Sequence, residues 1–172
     1  MTVPKLKTLL VAVLAVGALA AGGCGQAAAP PVAAAAAGVP AALAFTGKTL
    51  DGTAFDAASL AGKPAILWFW APWCATCASE AQSLNNIADE YAGRLSILGI
   101  AGLGDNKAMH EFVSDLEVTK VPNLDDQQGV IWKRFGITEQ STYVFLDKTG
   151  HVLDQGYLDD RQLTAKVKTM VA

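Results

Sequence analysis

The chain has 172 residues, with 13 lysines and arginines against 16 acids and a formal net charge of −3. That length holds one ordinary domain with appendages, not two, and the acidic balance argues against a nucleic acid or an anionic membrane surface as partner. Hydrophobic residues reach 52 %, but the alanine-rich sequence before residue 45 inflates that figure, and the remainder has the composition of a soluble globular domain.

Residues 1–23 have the composition of an export signal. Lys5 and Lys7 form a charged start, Leu9 to Ala21 an apolar run, and small residues follow. The run is too short for a comfortable membrane span. Ala18-Leu19-Ala20 fits an ordinary signal-peptidase site, whereas Ala20-Ala21-Gly22-Gly23-Cys24 resembles a loose bacterial lipobox in which Cys24 is lipidated. The second route is favoured because Cys24 has no other obvious partner. Either route places the domain outside the cytoplasm, as a membrane-anchored lipoprotein or a secreted protein, where disulfides persist. Residues 24–42, rich in Ala and Pro with almost nothing to bury, read as a tether. The folded domain is expected over 43–172.

Within it, Phe45 to Phe55 predicts a hairpin turning at Asp51-Gly52. Ser59 to Pro64 predicts a loop or a single helical turn. Ala65 to Trp70 is a continuous apolar run, as for a strand buried on both faces. A helix is expected from about Cys74 to Ala92, with Leu84, Ile87, Ala88 and Tyr91 on one face and Gly93 available to cap its end. Leu95 to Ala101 predicts the next strand. A second helix starts near Asp105 and carries Met109, Phe112, Val113 and Leu116 at helical spacing. A short strand near Asn123 and a helix over Val130 to Phe135 follow, with Asp125-Asp126-Gln127-Gln128 read as a solvated turn. Thr142 to Asp147 and His151 to Gly156 predict an antiparallel pair. The last helix begins at Asp159 or Asp160 and buries Leu163, Val167, Met170 and Val171. The order, a hairpin, then βαβα, a small insert, then ββα, predicts an α/β fold with a central mixed sheet flanked by helices.

Cys74 and Cys77 sit where the buried strand gives way to the helix. A helix start offers unpaired N–H groups and partial positive charge, and both stabilise a thiolate. Cys74, nearest the helix start, is the expected nucleophile. Cys77, one turn inside, is the expected resolving thiol. A purely structural role is weaker, because so small a loop restrains the unfolded chain little. Half a zinc site is weaker too, since only His110 and His151 remain as ligands and their spacing is not ligand-like. No metal and no cofactor beyond the Cys74–Cys77 disulfide is expected. Glu80, three residues past Cys77 on the same side of the helix, could take or return the Cys77 proton. An acid in the first turns is also what the helix dipole favours. Trp70, Pro72 and Trp73 are expected to shape an apolar surface around the disulfide.

From about Leu43 onward the chain resembles the thioredoxin superfamily, and within it the extracytoplasmic TlpA/DsbE group, most of all the secreted mycobacterial DsbE- and DsbF-like proteins. The residues that carry the likeness are Lys63-Pro64, Trp70-Ala71-Pro72-Trp73-Cys74-Ala75-Thr76-Cys77, Glu80, Ala101-Gly102-Leu103, and Phe135-Gly136-Ile137-Thr138 leading into Tyr143-Val144-Phe145-Leu146-Asp147. The resemblance implies a thioredoxin-like fold, a proton-handling role for Glu80, and contact of Gln140, Ser141 and Thr142 with substrate backbone. It also implies a thiol:disulfide oxidoreductase. The mycobacterial members point to an oxidase acting on exported proteins and recycled by a membrane redox partner. Other members point to a reductase in cytochrome c maturation, and a copper chaperone on the same fold is a further alternative. Three positions depart from the family pattern. Ser141 stands where a cis-proline is usual, Gln82 where a proline kinks the active-site helix, and Trp68 where thioredoxins bury an aspartate. The Ser141 bond is therefore expected either to be cis under strain or to take a trans path.

Overall fold

The computed structural model describes residues 38–172. The export signal, Cys24 and most of the tether lie outside the described residues. The hairpin forms as predicted but is short: β1 (Thr46–Lys48) pairs with β2 (Ala54–Asp56), Thr46 opposite Asp56. Its turn closes through Gly52 N–H to the Thr49 carbonyl at 2.8 Å. Gly52 has φ +80°, a conformation open to glycine at little cost. Asp56 then caps a 3-10 turn, Ala57–Leu60, by accepting from the Ala58 N–H.

Five further strands build one sheet. β3 (Ala65–Trp70) and β4 (Ser96–Ala101) pair in parallel, joined by α1 (Ala75–Glu90). After α2 (Asn106–Asp115), β5 (Asn123–Asp125) extends the parallel edge. α3 (Val130–Arg134) leads to β6 (Thr142–Leu146), antiparallel to β3, and β7 (Val152–Gly156) completes the order β5-β4-β3-β6-β7. α4 (Asp160–Met170) closes the chain. It starts with a reciprocal capping box between Asp159 and Gln162. The α/β class, the mixed sheet and the element order all match expectation.

Alternation along β3 divides the core in two. Ile66, Trp68 and Trp70 face α1, α2 and α4 together with Leu84, Met109, Phe112, Tyr143 and Leu163. Leu67 and Phe69 face the other way, onto Leu98, Ile100, Val144, Ile131 and Trp132. All six β3 side chains are buried, which is why the run carries no polar alternation. Leu43 belongs to the second cluster, and Val39 and Ala42, inside the stretch read as tether, pack against it. Packed chain therefore starts about four residues before the expected boundary.

Two readings need correction. Met170 and Val171 are only partly buried, because α4 turns Leu163 and Val167 to the core and its last turn lies at the rim. The Asp125–Gln128 stretch is not a solvated turn at its second residue. Asp126 is 5 % exposed, and its two carboxylate oxygens accept from the N–H groups of Val130, Ile131 and Trp132 at 2.9 Å each. The orphan donors at the start of α3 draw that carboxylate inward.

Candidate active site

β3 ends at Trp70, and the chain passes through Ala71-Pro72-Trp73 into α1. Cys74 is the N-cap residue. Its backbone is extended, and its Sγ accepts from the Cys77 N–H at 3.0 Å. A serine or aspartate oxygen does this work in most helices; here a sulfur does. Cys74 and Cys77 are joined as a disulfide with Cα atoms 5.2 Å apart. Cys74 is 6 % exposed and Cys77 fully buried, so an incoming sulfur meets Cys74 first. Once the bond opens, the same N–H group and the helix start favour ionised Cys74.

Trp73 is 61 % exposed, and its Nε1 donates to the Leu103 carbonyl at 2.7 Å. Leu103, in the loop after β4, is itself exposed. Gly104 in that loop lies against Pro72, where an added Cβ would fall 2.4 Å from the proline ring. Trp73 and Leu103 thus form an apolar rim held by a hydrogen bond. A cavity of about 410 Å³ opens beside Cys74, lined by Pro72, Trp73, Ala78 and Phe112, with Glu111 and Asp115 at its acidic side. A larger cavity of about 740 Å³ lies along the hairpin and does not include either cysteine. Trp70, expected at the site surface, is instead entirely buried. It stacks on Phe112 with ring centroids 4.3 Å apart and donates to Asn123 Oδ1 at 2.9 Å. Gly99 makes room for that bond, since a Cβ there would fall 1.9 Å from Asn123 Oδ1.

Glu80 is 3 % exposed, one turn past Cys77. Trp68 Nε1 donates to its Oε2 at 2.8 Å, and the Ser141 hydroxyl donates to its Oε1 at 2.5 Å. Burial raises the Glu80 pKa above the ordinary carboxylate range, while the bonds from Ser141 and Trp68 pull it back. Tyr143, on β6, also faces this carboxylate, and its buried hydroxyl lies near enough to interact with Glu80 although it makes no hydrogen bond of good geometry. Burial, followed by the Glu80 charge, pushes the Tyr143 phenol up. Two of the three departures from the family pattern therefore meet on one side chain. The tryptophan in the aspartate position and the serine in the cis-proline position both donate to Glu80.

No peptide bond among the described residues is cis, and Ser141 takes the trans path with φ +61°. Ser141 and Thr142 are buried. Their hydroxyls bond internally, to Glu80 and to the Glu139 carbonyl at 3.0 Å, leaving Gln140 half-exposed beside them. Any contact of Ser141 or Thr142 with a substrate is thereby left to the main chain. Gln82 sits within an unbroken α1 and donates to Asn86 at 3.2 Å. Sequence reasoning missed the Trp68 and Ser141 bonds to Glu80. The signal available was that both departures place a hydrogen-bond donor near an acid. Among the described residues no three His, Cys, Asp or Glu side chains converge as a metal site.

The soluble secreted antigen MPT53 of Mycobacterium tuberculosis is 45 % identical to this chain over 108 residues. That match covers 63 % of this chain and 61 % of the antigen, so it spans less than two thirds of that relative's length. Among solved structures, that of MTB dsbF in its mixed oxidised and reduced forms superposes with a TM-score of 0.72 at 43 % identity, covering 77 % of this chain and 98 % of that one. A secreted Mycobacterium tuberculosis disulfide oxidoreductase homologous to E. coli DsbE gives a TM-score of 0.68 at 38 % identity, covering 74 % and 97 %. The AhpC/TSA family model matches residues 39–155, which take in the hairpin, β3 with both cysteines, Glu80 and Ser141. With this fold and this match, the chain belongs to the thioredoxin-like AhpC/TSA family.

Proposed function

We propose that this protein is an extracytoplasmic thiol:disulfide oxidoreductase that uses Cys74–Cys77 to form disulfides in exported proteins. The observation that carries the reading is the disulfide at the mouth of α1, with Cys74 accepting a backbone N–H and Cys77 buried behind it. The similarity to a secreted disulfide oxidoreductase supports it. A client thiolate attacks the Cys74 sulfur, the Cys74–Cys77 bond breaks, and Cys77 leaves as a thiolate that takes a proton from Glu80. A second client thiolate then attacks the client sulfur of the mixed disulfide. The client disulfide forms and Cys74 departs as a thiolate. Two electrons pass from client to enzyme, and a membrane redox partner removes them. Pro72 and Trp73 hold the apolar part of the client segment, and Gln140, Ser141 and Thr142 border it. Lipidation at Cys24 tethers the domain to the membrane.

Direction of electron flow is tested by titrating Cys74–Cys77 against glutathione buffers. A potential in the range of about −180 to −120 mV is expected for an oxidase; one near about −270 mV would assign the protein to the reductases.

A further inference from the structure

The two donors on Glu80 are not equivalent. An indole N–H can only donate, so Trp68 serves Oε2 in one sense only. A serine hydroxyl donates and accepts. If Glu80 takes up a proton, Trp68 keeps its bond to Oε2, and the Oε1 side must change from accepting to donating. Of the two groups bonded to Glu80, Ser141 alone can follow that change, by rotating about its Cβ–Oγ bond.

We propose that Ser141 is a positioning residue that lets Glu80 exchange its proton inside the core: its hydroxyl donates to the carboxylate and reverses to accept from the carboxyl. The proposal rests on Glu80 being the proton partner of Cys77. One proton moves in the step. The Cys77 thiol and the Glu80 carboxylate become the Cys77 thiolate and the Glu80 carboxyl, or the reverse, and the Ser141 hydrogen stays on its own oxygen. No electron is transferred.

Two observations beyond the hydrogen bond support this. Ser141 holds φ +61°, a left-handed region that is unfavourable for a residue with a Cβ. The residue is nevertheless a serine whose hydroxyl is aimed at the carboxylate. The Tyr143 hydroxyl, two residues on, is buried against the same carboxyl without a hydrogen bond of good geometry, and is a weaker hydrogen-bonding group beside Ser141. The titratable groups that act on Glu80 are Tyr143 on β6 and Asp160 at the start of α4, which receives the Ser83 hydroxyl at 2.7 Å, with Cys77 three residues back along α1. None of them carries positive charge, so the neutral donors Trp68 and Ser141 hold the ionised form.

The test compares Ser141→Gly, Ser141→Ala and Glu80→Gln with the parent as full-length protein. The rate of disulfide reduction by dithiothreitol is followed through tryptophan fluorescence across pH, alongside a thermal melt. Glu80→Gln is expected to remove one inflection of the pH–rate profile. Losing the Ser141 donor destabilises the carboxylate, so both serine variants are expected to move that inflection upward by about one pH unit and to slow the plateau about tenfold. Glycine relieves the backbone at φ +61° and alanine does not, so equal shifts in the two assign the effect to the hydroxyl. An inflection that stays in place in both variants, with Glu80→Gln still removing it, overturns the role of Ser141 alone. A profile that Glu80→Gln leaves intact overturns Glu80 as the proton partner and the proposal with it.

Discussion

Glu80 sits in the core with both oxygens bonded and its pKa raised by burial. In the unfolded chain a glutamate titrates near about 4.3. Because the folded pKa lies above that value, the folded state holds the proton more tightly. The resulting stability is fully present below the unfolded pKa and is lost as pH rises through the folded one. Glu80→Gln keeps the shape and can still accept from Trp68 and donate to Ser141. Its melting temperature is therefore expected to exceed the parent's at pH 7 and to lose the decline that the parent shows above the ordinary carboxylate range. A variant less stable than the parent by the same margin at every pH would contradict this. Glu80 was legible in the sequence by its spacing from Cys77. Its partners were not, because Trp68 and Ser141 lie 12 and 61 residues away and meet it only through the β3–β6 pairing.

Among the elements, those with strong periodicity or end signals were readable. The unbroken apolar run of β3, the helical spacing in α1 and α2, and Asp159 before α4 each fixed an element to within a few residues. The stretch from Glu117 to Gln128 was harder, because its polar residues serve long-range contacts that no local pattern reveals. Asn123 receives the Trp70 indole, and Asp126 gathers three N–H groups of α3. Asp126→Ala leaves those donors unpaired, the N–H groups of Ile131 and Trp132 within the core. The expected loss is about 2 kcal/mol or more, read as a lower denaturant midpoint with an unchanged slope. The thiol pair lies at the start of α1, in the core cluster on the other face of the sheet from α3, so its reactivity with dithiothreitol is expected to hold. An unchanged midpoint would show that the α3 cap carries no stability.

Across the whole molecule, one sheet puts the mouth of α1, the loop after β4 and the start of β6 around a single disulfide. The first two are joined through Trp73 and Leu103, and the first and last through Glu80 and Ser141. The cores on the two faces of the sheet hold these three segments from below, and α2 walls the cavity beside Cys74. The measurement that bears most directly on this account is trapping of mixed disulfides with reduced client polypeptides, after the single remaining cysteine of each variant has been converted to its mixed disulfide with a small aromatic thiol, which leaves as the thiolate when the client sulfur attacks. Cys77→Ser is expected to accumulate a covalent complex through Cys74 that dithiothreitol releases, and Cys74→Ser to accumulate none. Complexes formed equally by both variants, or by neither while the parent still turns over, would contradict Cys74 as the attacked sulfur and Cys77 as the group that leaves.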